Sequence, residues 1–218
     1  MKQDTVWLKE EKCKNLQTKF GDYDDFDKNK SNNPIIANRQ SVYFATRELL
    51  KDNNYSILEV GCGPGHFLWA LRDVASTING LDYSKEMLRL CEAQFQSKNI
   101  PIELTEGVCW DLPFEDKHFD VTLQCDVCRH VGGCWKSILE MIRVSKKHVV
   151  FSGPSFERWG LGGPIEKELE RLMFGINLDS WEHYLNNMKE SKEISSYFLI
   201  SRPNKKDRIK RRILVINI

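Results

Sequence analysis

The sequence predicts an α/β fold in which a parallel sheet is wrapped on both faces by helices. Three observations carry this. Short apolar runs rich in β-branched residues alternate with helical periodicity through the middle of the chain. The first run, Ile57-Leu58-Glu59-Val60, passes at once into Gly61-Cys62-Gly63-Pro64-Gly65 and then a helical pattern from His66. The second run, Ile78-Asn79-Gly80-Leu81, ends in an acid, Asp82.

The elements follow in order. Residues 1–50 precede the core. Val6, Leu8 and Leu16 are sparse among charges, so any helix there is weakly amphipathic. Residues 21–33 are polar and full of turn formers, which reads as a loop. Residues 36–50 place Val42, Ala45, Leu49 and Leu50 on one helical face. Strands are expected at 56–60, 77–81, 102–106, 121–125 and 148–152, and helices at 66–74, 84–96 and 133–144. Ser84 is a suitable N-cap, and Met87, Leu88, Leu90 and Cys91 suit a helix packed on a sheet. Beyond Gly153-Pro154, residues 165–174 read as a short helix, and Asp179 with Glu182 as a capping pair. Residues 197–201 and 213–218 read as two strands.

Composition narrows the function. The 218 residues suffice for one domain with a full core; 41% are apolar and 29% charged, as in soluble globular chains. A net charge of +1 gives no global field for nucleic acid or anionic membrane. No run approaches the roughly 20 apolar residues of a membrane span, and the N-terminus lacks the apolar core of a signal peptide. Seven cysteines, an odd number, are scattered, which suits reduced thiols and a cytoplasmic location.

The glycine turn holds the strongest signal. A tight turn between strand and helix brings backbone close to a ligand. Its spacing is G-x-G-x-G, and His66 stands where a dinucleotide fingerprint has its third glycine. Glu59, two residues before Gly61, would repel a pyrophosphate and favour a cofactor carrying positive charge. Asp82 follows Gly61 by 21 residues, near the spacing at which an acid reaches ribose hydroxyls. Ligands of such sheets sit beyond the carboxyl ends of the strands, where Glu59, Asp82 and Gln124 converge.

With Gly107 to Phe114 (GVCWDLPF) and Phe119-Asp120-Val121 in register downstream, the chain resembles class I S-adenosylmethionine-dependent methyltransferases of the small-molecule type, well over residues 40–152 and loosely at both ends. The resemblance implies a three-layer Rossmann-like sandwich. Its seven-stranded sheet would be mostly parallel, with an antiparallel C-terminal hairpin strand. Residues 1–218 would be one domain: a helical cap segment (1–50), a cofactor-binding core (51–155), a substrate-covering segment (156–192) and a β-hairpin (193–218). The implied cofactor is S-adenosylmethionine, with S-adenosylhomocysteine as product.

The resemblance also implies roles. Glu59 would face the methionine ammonium, and Gln124, just after the fourth strand, would offer it a carbonyl. Gly61, Cys62 and Gly63 would line the methionine and ribose. Asp82 would accept the ribose hydroxyls, Tyr83 would lie against adenine, and Met87, Cys109 and Trp110 would border it. Val108 stands where the family often has an adenine-reading Asp, so backbone groups or Asp111 must serve instead. Tyr23 and Tyr43 are candidates to cover the methionine end, and Trp159 lies in the substrate-covering segment.

The acceptor side is less legible. In residues 124–135, QCDVCRHVGGCW, His130 is a fitting general base or a structural histidine, and Asp126 and Arg129 could orient substrate. Cys125, Cys128 and Cys134 lack the second separated pair of a zinc site, so no metal is assigned. The run from Arg202 to Arg212 carries seven cations and one acid and could grip RNA or a protein, but it fits a solvated hairpin tip. No N-P-P-Y-like motif follows the fourth strand, which argues against base-nitrogen methylation. The expected partner is thus a small methyl acceptor. An RNA or protein methyltransferase and a non-catalytic cofactor-binding protein stay open as alternatives, with a nicotinamide dehydrogenase distant. The acceptor, the atom methylated and the oligomeric state are not readable.

Overall fold

The computed structural model describes residues 34–127, 134–153, 178–202 and 211–218. In chain order the elements are α1 (Pro34–Leu50), β1 (Ser56–Val60), α2 (His66–Leu71), β2 (Thr77–Asp82), α3 (Lys85–Gln96) and β3 (Glu103–Glu106). Then come β4 (Phe119–Cys125), α4 (Cys134–Val144), β5 (Ser145–Gly153), α5 (Leu178–Glu190), β6 (Ser196–Arg202) and β7 (Arg211–Asn217).

The seven strands form one sheet in the order β3-β2-β1-β4-β5-β7-β6. Strands β1 to β5 pair in parallel; β7 pairs antiparallel with both β5 and β6. This is the expected seven-stranded sheet with an antiparallel C-terminal strand. The order reverses between β2-β1 and β4, so the tips of β1 and β4 flank the crevice where α/β sheets bind ligands.

Alternation along the strands builds two cores. Ile57, Val121, Leu123, Val150, Ile213 and Val215 face one side, with Val42, Leu50, Phe67, Leu68, Leu71, Cys91 and Phe95 from α1, α2 and α3. Leu58, Val60, Phe119, Val149, Phe151, Leu214 and Ile216 face the other, with Ile138, Met141, Leu185 and Met188 from α4 and α5. A period of two on strands and 3.6 on helices yields the three layers.

Most boundaries lie within three residues of expectation. Helix α2 stops at Leu71 rather than at 74, because the Val74 and Ala75 amides both fold back on the Leu71 carbonyl. Ser84 caps α3, its hydroxyl accepting from the Met87 amide at 3.4 Å. Helix α5 starts at Leu178, so Asp179 lies inside the first turn rather than at the cap. Tyr43, a candidate cover, is buried in the first core, with its hydroxyl accepting from Arg47. The expected loop at 21–33 and helix at 165–174 lie outside the described residues. Asp120 of the Phe-Asp pair has a structural task at the far end of the sheet. Its carboxylate accepts from the Ser56 amide and hydroxyl at 2.9 and 2.8 Å, tying the start of β4 to β1.

Candidate functional site

The turn after β1 is held by three left-handed glycines at alternate positions. Gly61, Gly63 and Gly65 have φ of 76°, 54° and 85°. They differ in what surrounds them. A Cβ on Gly61 would strike Val127, and one on Gly65 would strike the Cys91 sulfur. A Cβ on Gly63 would meet nothing within 4 Å. Two glycines therefore let protein pack on the turn, and the middle one faces open space at the strand tips. The Gly61 and Cys62 amides both donate to the Leu81 carbonyl, at 2.7 and 3.0 Å, fastening the turn to β2.

Asp82 closes β2 and organises this turn. One carboxylate oxygen accepts from the Gly63 amide at 2.8 Å, the other from the Ser84 amide at 2.8 Å. Burial raises its pKa above the usual carboxylate value, against the backbone N–H groups of Ser84, Gly63 and Tyr83, which favour the charged form. Each carboxylate oxygen has two lone pairs. With three backbone N–H groups already donating, capacity for a further donor, such as a hydroxyl, remains. Tyr83, beside it, is 47% exposed and offers a ring for stacking. Met87 is buried in the first turn of α3.

The structure separates two residues expected to share one ligand group. Glu59 is 3% exposed and registers with Leu123, on the face of α1 to α3. Gln124 lies inside β4 rather than after it, and alternation turns it to the α4 face. It is wholly buried, and its Oε1 accepts from the Ser137 hydroxyl at 3.1 Å. Its Nε2 has no hydrogen-bond acceptor among the described residues. The two side chains leave their strands on opposite faces of the sheet. The Cys109 thiol lies against Ser137 and Gln124, and burial pushes its pKa up. Gln124 thus belongs with the loop after β3.

That loop starts beside Asp82, whose carbonyl accepts from the Gly107 amide at 3.1 Å. Val108 and Asp111 form a small antiparallel bridge around Cys109 and Trp110. Cys109 is buried, Trp110 half-buried and Asp111 exposed. The bridge sets the main-chain groups of 108–111 and the exposed Asp111 side by side at Val108.

Past β4 the chain makes a strained turn. Asp126 is 3% exposed and has φ of 62°, a left-handed conformation that Asp tolerates better than most residues. Its amide donates to the Ser152 carbonyl at 3.1 Å, and the next residue, Val127, packs on Gly61. A buried acid is thereby set at the mouth between β4 and β5. Tyr23, Arg129, His130 and Trp159 lie outside the described residues. Cys125 sits 3.8 Å from the Ser152 hydroxyl. No group of three potential metal ligands occurs among the described residues.

Some supporting residues carry no sequence signal. Cys91 and Val127 matter because each touches a glycine, and Ser137 because it faces Gln124 across a helix–strand contact. Only the glycine spacing hinted that partners would be needed.

The strand order and the glycine turn joined to an acid at the tip of β2 can now be compared with known proteins. The methyltransferase-domain family matches residues 58–152, which span β1 through most of β5. Magnesium protoporphyrin IX methyltransferase from Synechocystis PCC 6803, solved with bound S-adenosylmethionine, superposes with a TM-score of 0.65 at 13% identity, over 94% of this chain and 89% of its own. This chain has the class I S-adenosylmethionine-dependent methyltransferase fold. A putative methyltransferase of this kind from Methanococcus maripaludis superposes with a TM-score of 0.61 at 18% identity, over 99% of this chain and 96% of its own. Demethylmenaquinone methyltransferase of Bacillus licheniformis is 39% identical over 92 residues, which is 41% of this chain and 39% of that protein. Malonyl-[acyl-carrier protein] O-methyltransferase of Pseudescherichia vulneris is 30% identical over 108 residues, or 48% and 41%. The chain thus spans about two-fifths of the length of these curated relatives. In the class I fold the matched region is the half holding the glycine turn, Asp82 and the 107–116 loop. No helix among the described residues is long and apolar enough to cross a membrane.

Proposed function

We propose that this protein binds S-adenosylmethionine in the crevice at the tips of β1, β2 and β4 and transfers its methyl group to a small-molecule acceptor. The observation that carries the reading is the junction of Gly63 and Asp82. A left-handed glycine with open space before it is pinned by a carboxylate that keeps an acceptor position. That junction, with buried Glu59 and exposed Tyr83, fits a nucleoside bearing a cationic amino-acid tail. Cys62 and Gly63 would hold the tail, Asp82 the ribose, and Tyr83 with the 108–111 backbone the base.

When bound, the cofactor supplies a methyl group already activated by its sulfonium. The protein's part is then alignment and exclusion of water. Asp126, Arg129 and His130 follow β4 on the acceptor side. In this reading His130 takes the acceptor's proton, while Asp126 and Arg129 orient the acceptor; Tyr23 covers the methionine end beside it and Trp159 covers the acceptor. A small acceptor agrees with relatives whose names carry demethylmenaquinone and magnesium protoporphyrin IX. Calorimetry with S-adenosylmethionine and S-adenosylhomocysteine, followed by labelled-methyl transfer to a metabolite extract, tests the proposal. Absence of binding by both ligands would refute it.

A further inference from the structure

The loop that would lie beside the nucleobase shares a core with α4, and α4 also grips its main chain. Arg143, in the last turn of α4, donates through Nη2 to the Leu112 carbonyl at 2.9 Å and through Nη1 to the Phe114 carbonyl at 2.8 Å. Its Nε and Nη2 also grip both oxygens of Glu140, at 2.8 and 2.7 Å. Glu140 in turn accepts from the Leu112 amide at 2.8 Å. The main chain of Leu112 is therefore held at both its N–H and its C=O by one ion pair. A further contact, Arg143 to Asp116 at 2.8 Å, involves a carboxylate that is 74% exposed and adds little. One turn earlier on the same helix, Ser137 meets Gln124 beside Cys109.

This arrangement bears on chemistry because of Val108. With no acid at that position, a base must be read by the backbone N–H and C=O groups of the loop. Those groups discriminate only if the loop holds one shape. Its side chains Cys109, Leu112 and Phe114 pack in the second core, while its main chain is joined to itself by a 3.4 Å bond from the Asp111 amide to the Val108 carbonyl and a 2.8 Å bond from Phe114 to Leu112. A planar guanidinium fork fixes two carbonyls and a carboxylate at once, which an ammonium cannot reproduce.

We infer that Glu140 and Arg143 are positioning residues for nucleobase selectivity, acting through the main chain of residues 107–116. The inference rests on the cofactor crevice proposed above and goes further, since neither residue lines that crevice. It predicts that the pair governs which base is accepted more than how strongly the rest of the cofactor is held.

The test uses the full chain and two probes, S-adenosylhomocysteine and its inosine counterpart. The counterpart replaces the exocyclic amine by a carbonyl and so inverts the donor–acceptor pattern of the base edge. Wild type is expected to prefer the adenosyl probe by about tenfold or more, the scale of one mispaired hydrogen bond. In Arg143→Lys and Glu140→Gln the ratio should fall several-fold toward one, with a smaller loss in binding of the adenosyl probe. Arg143→Met should show the same more strongly; if it does not fold, the two milder variants decide. Uniformly weaker binding with the ratio intact would make the pair merely structural and overturn the inference. A wild type that binds both probes equally would also overturn it while leaving the cofactor site standing. A wild type that binds neither would remove the proposed function and this inference together.

Discussion

The three glycines of the turn give a prediction that separates a ligand surface from a packing surface. In Gly63→Ala the added methyl meets no protein atom within 4 Å, so the free protein bears only the left-handed backbone penalty. That penalty is about 1–2 kcal/mol for a residue with a Cβ. For a chain of this size it lowers Tm by roughly 2–8 °C. Gly61→Ala carries the same penalty and also drives a methyl into Val127, whose β-branched side chain has little rotamer freedom to yield. Overpacking adds about 1–3 kcal/mol, for a total of about 2–5 kcal/mol. Gly65→Ala meets the buried Cys91 sulfur and falls in the same range. Differential scanning fluorimetry should therefore rank Gly63→Ala as the most stable of the three. Calorimetry with S-adenosylhomocysteine should give the reverse contrast: Gly63→Ala folds yet loses at least about tenfold in affinity, because its methyl occupies space the ligand needs, worth about 1.4 kcal/mol or more. Wild-type affinity in a folded Gly63→Ala protein would refute the claim that ligand lies against this residue.

Other outcomes follow from the same geometry. Asp82→Asn must set an amide NH2 against either the Gly63 or the Ser84 N–H, so it should lose about 1.5–3 kcal/mol of stability and weaken S-adenosylhomocysteine binding; unchanged affinity would dismiss the ribose assignment. Acid should act on binding before it acts on the fold. Asp82 has a raised pKa, so its carboxylate protonates above the usual range, and affinity should fall as pH drops through that value. Proton uptake by Asp82 itself favours the folded state, since the unfolded carboxyl titrates lower. Glu140 and Asp73 have depressed pKa values, held down by Arg143 and Arg47, so their stabilisation is complete above the unfolded carboxylate pKa and is lost only as pH falls through the lower folded values. Affinity and Tm measured from about pH 7 to about pH 3 should thus decline in that order, and coincident curves would contradict the assignment. His130→Ala should cut methyl transfer by about 100-fold or more with cofactor affinity kept, the scale of a lost general base, and full turnover would make His130 a packing residue.

The sequence by itself determined the layers of this protein and the location of its crevice. Periodicity is local physics: the short apolar runs at Ile57 to Val60 and Val121 to Cys125 suit strands covered on both faces, and G-x-G-x-G suits a tight turn with positive φ. Asp82 was legible for the same reason, since its distance along the chain from Gly61 is set by one helix and one strand. The tertiary structure decided what lies across space. Register put the Gln124 side chain on the opposite face from Glu59, and that one-residue parity set it against Ser137 and Cys109. Burial alone made Tyr43 a core residue. Which glycine faces open space was decided by Val127 and Cys91, residues of distant segments. The grip of Arg143 on the main chain of Leu112 and Phe114, some thirty positions earlier, has no sequence periodicity to announce it, because a hydrogen bond to a carbonyl is indifferent to the side chain that carbonyl belongs to.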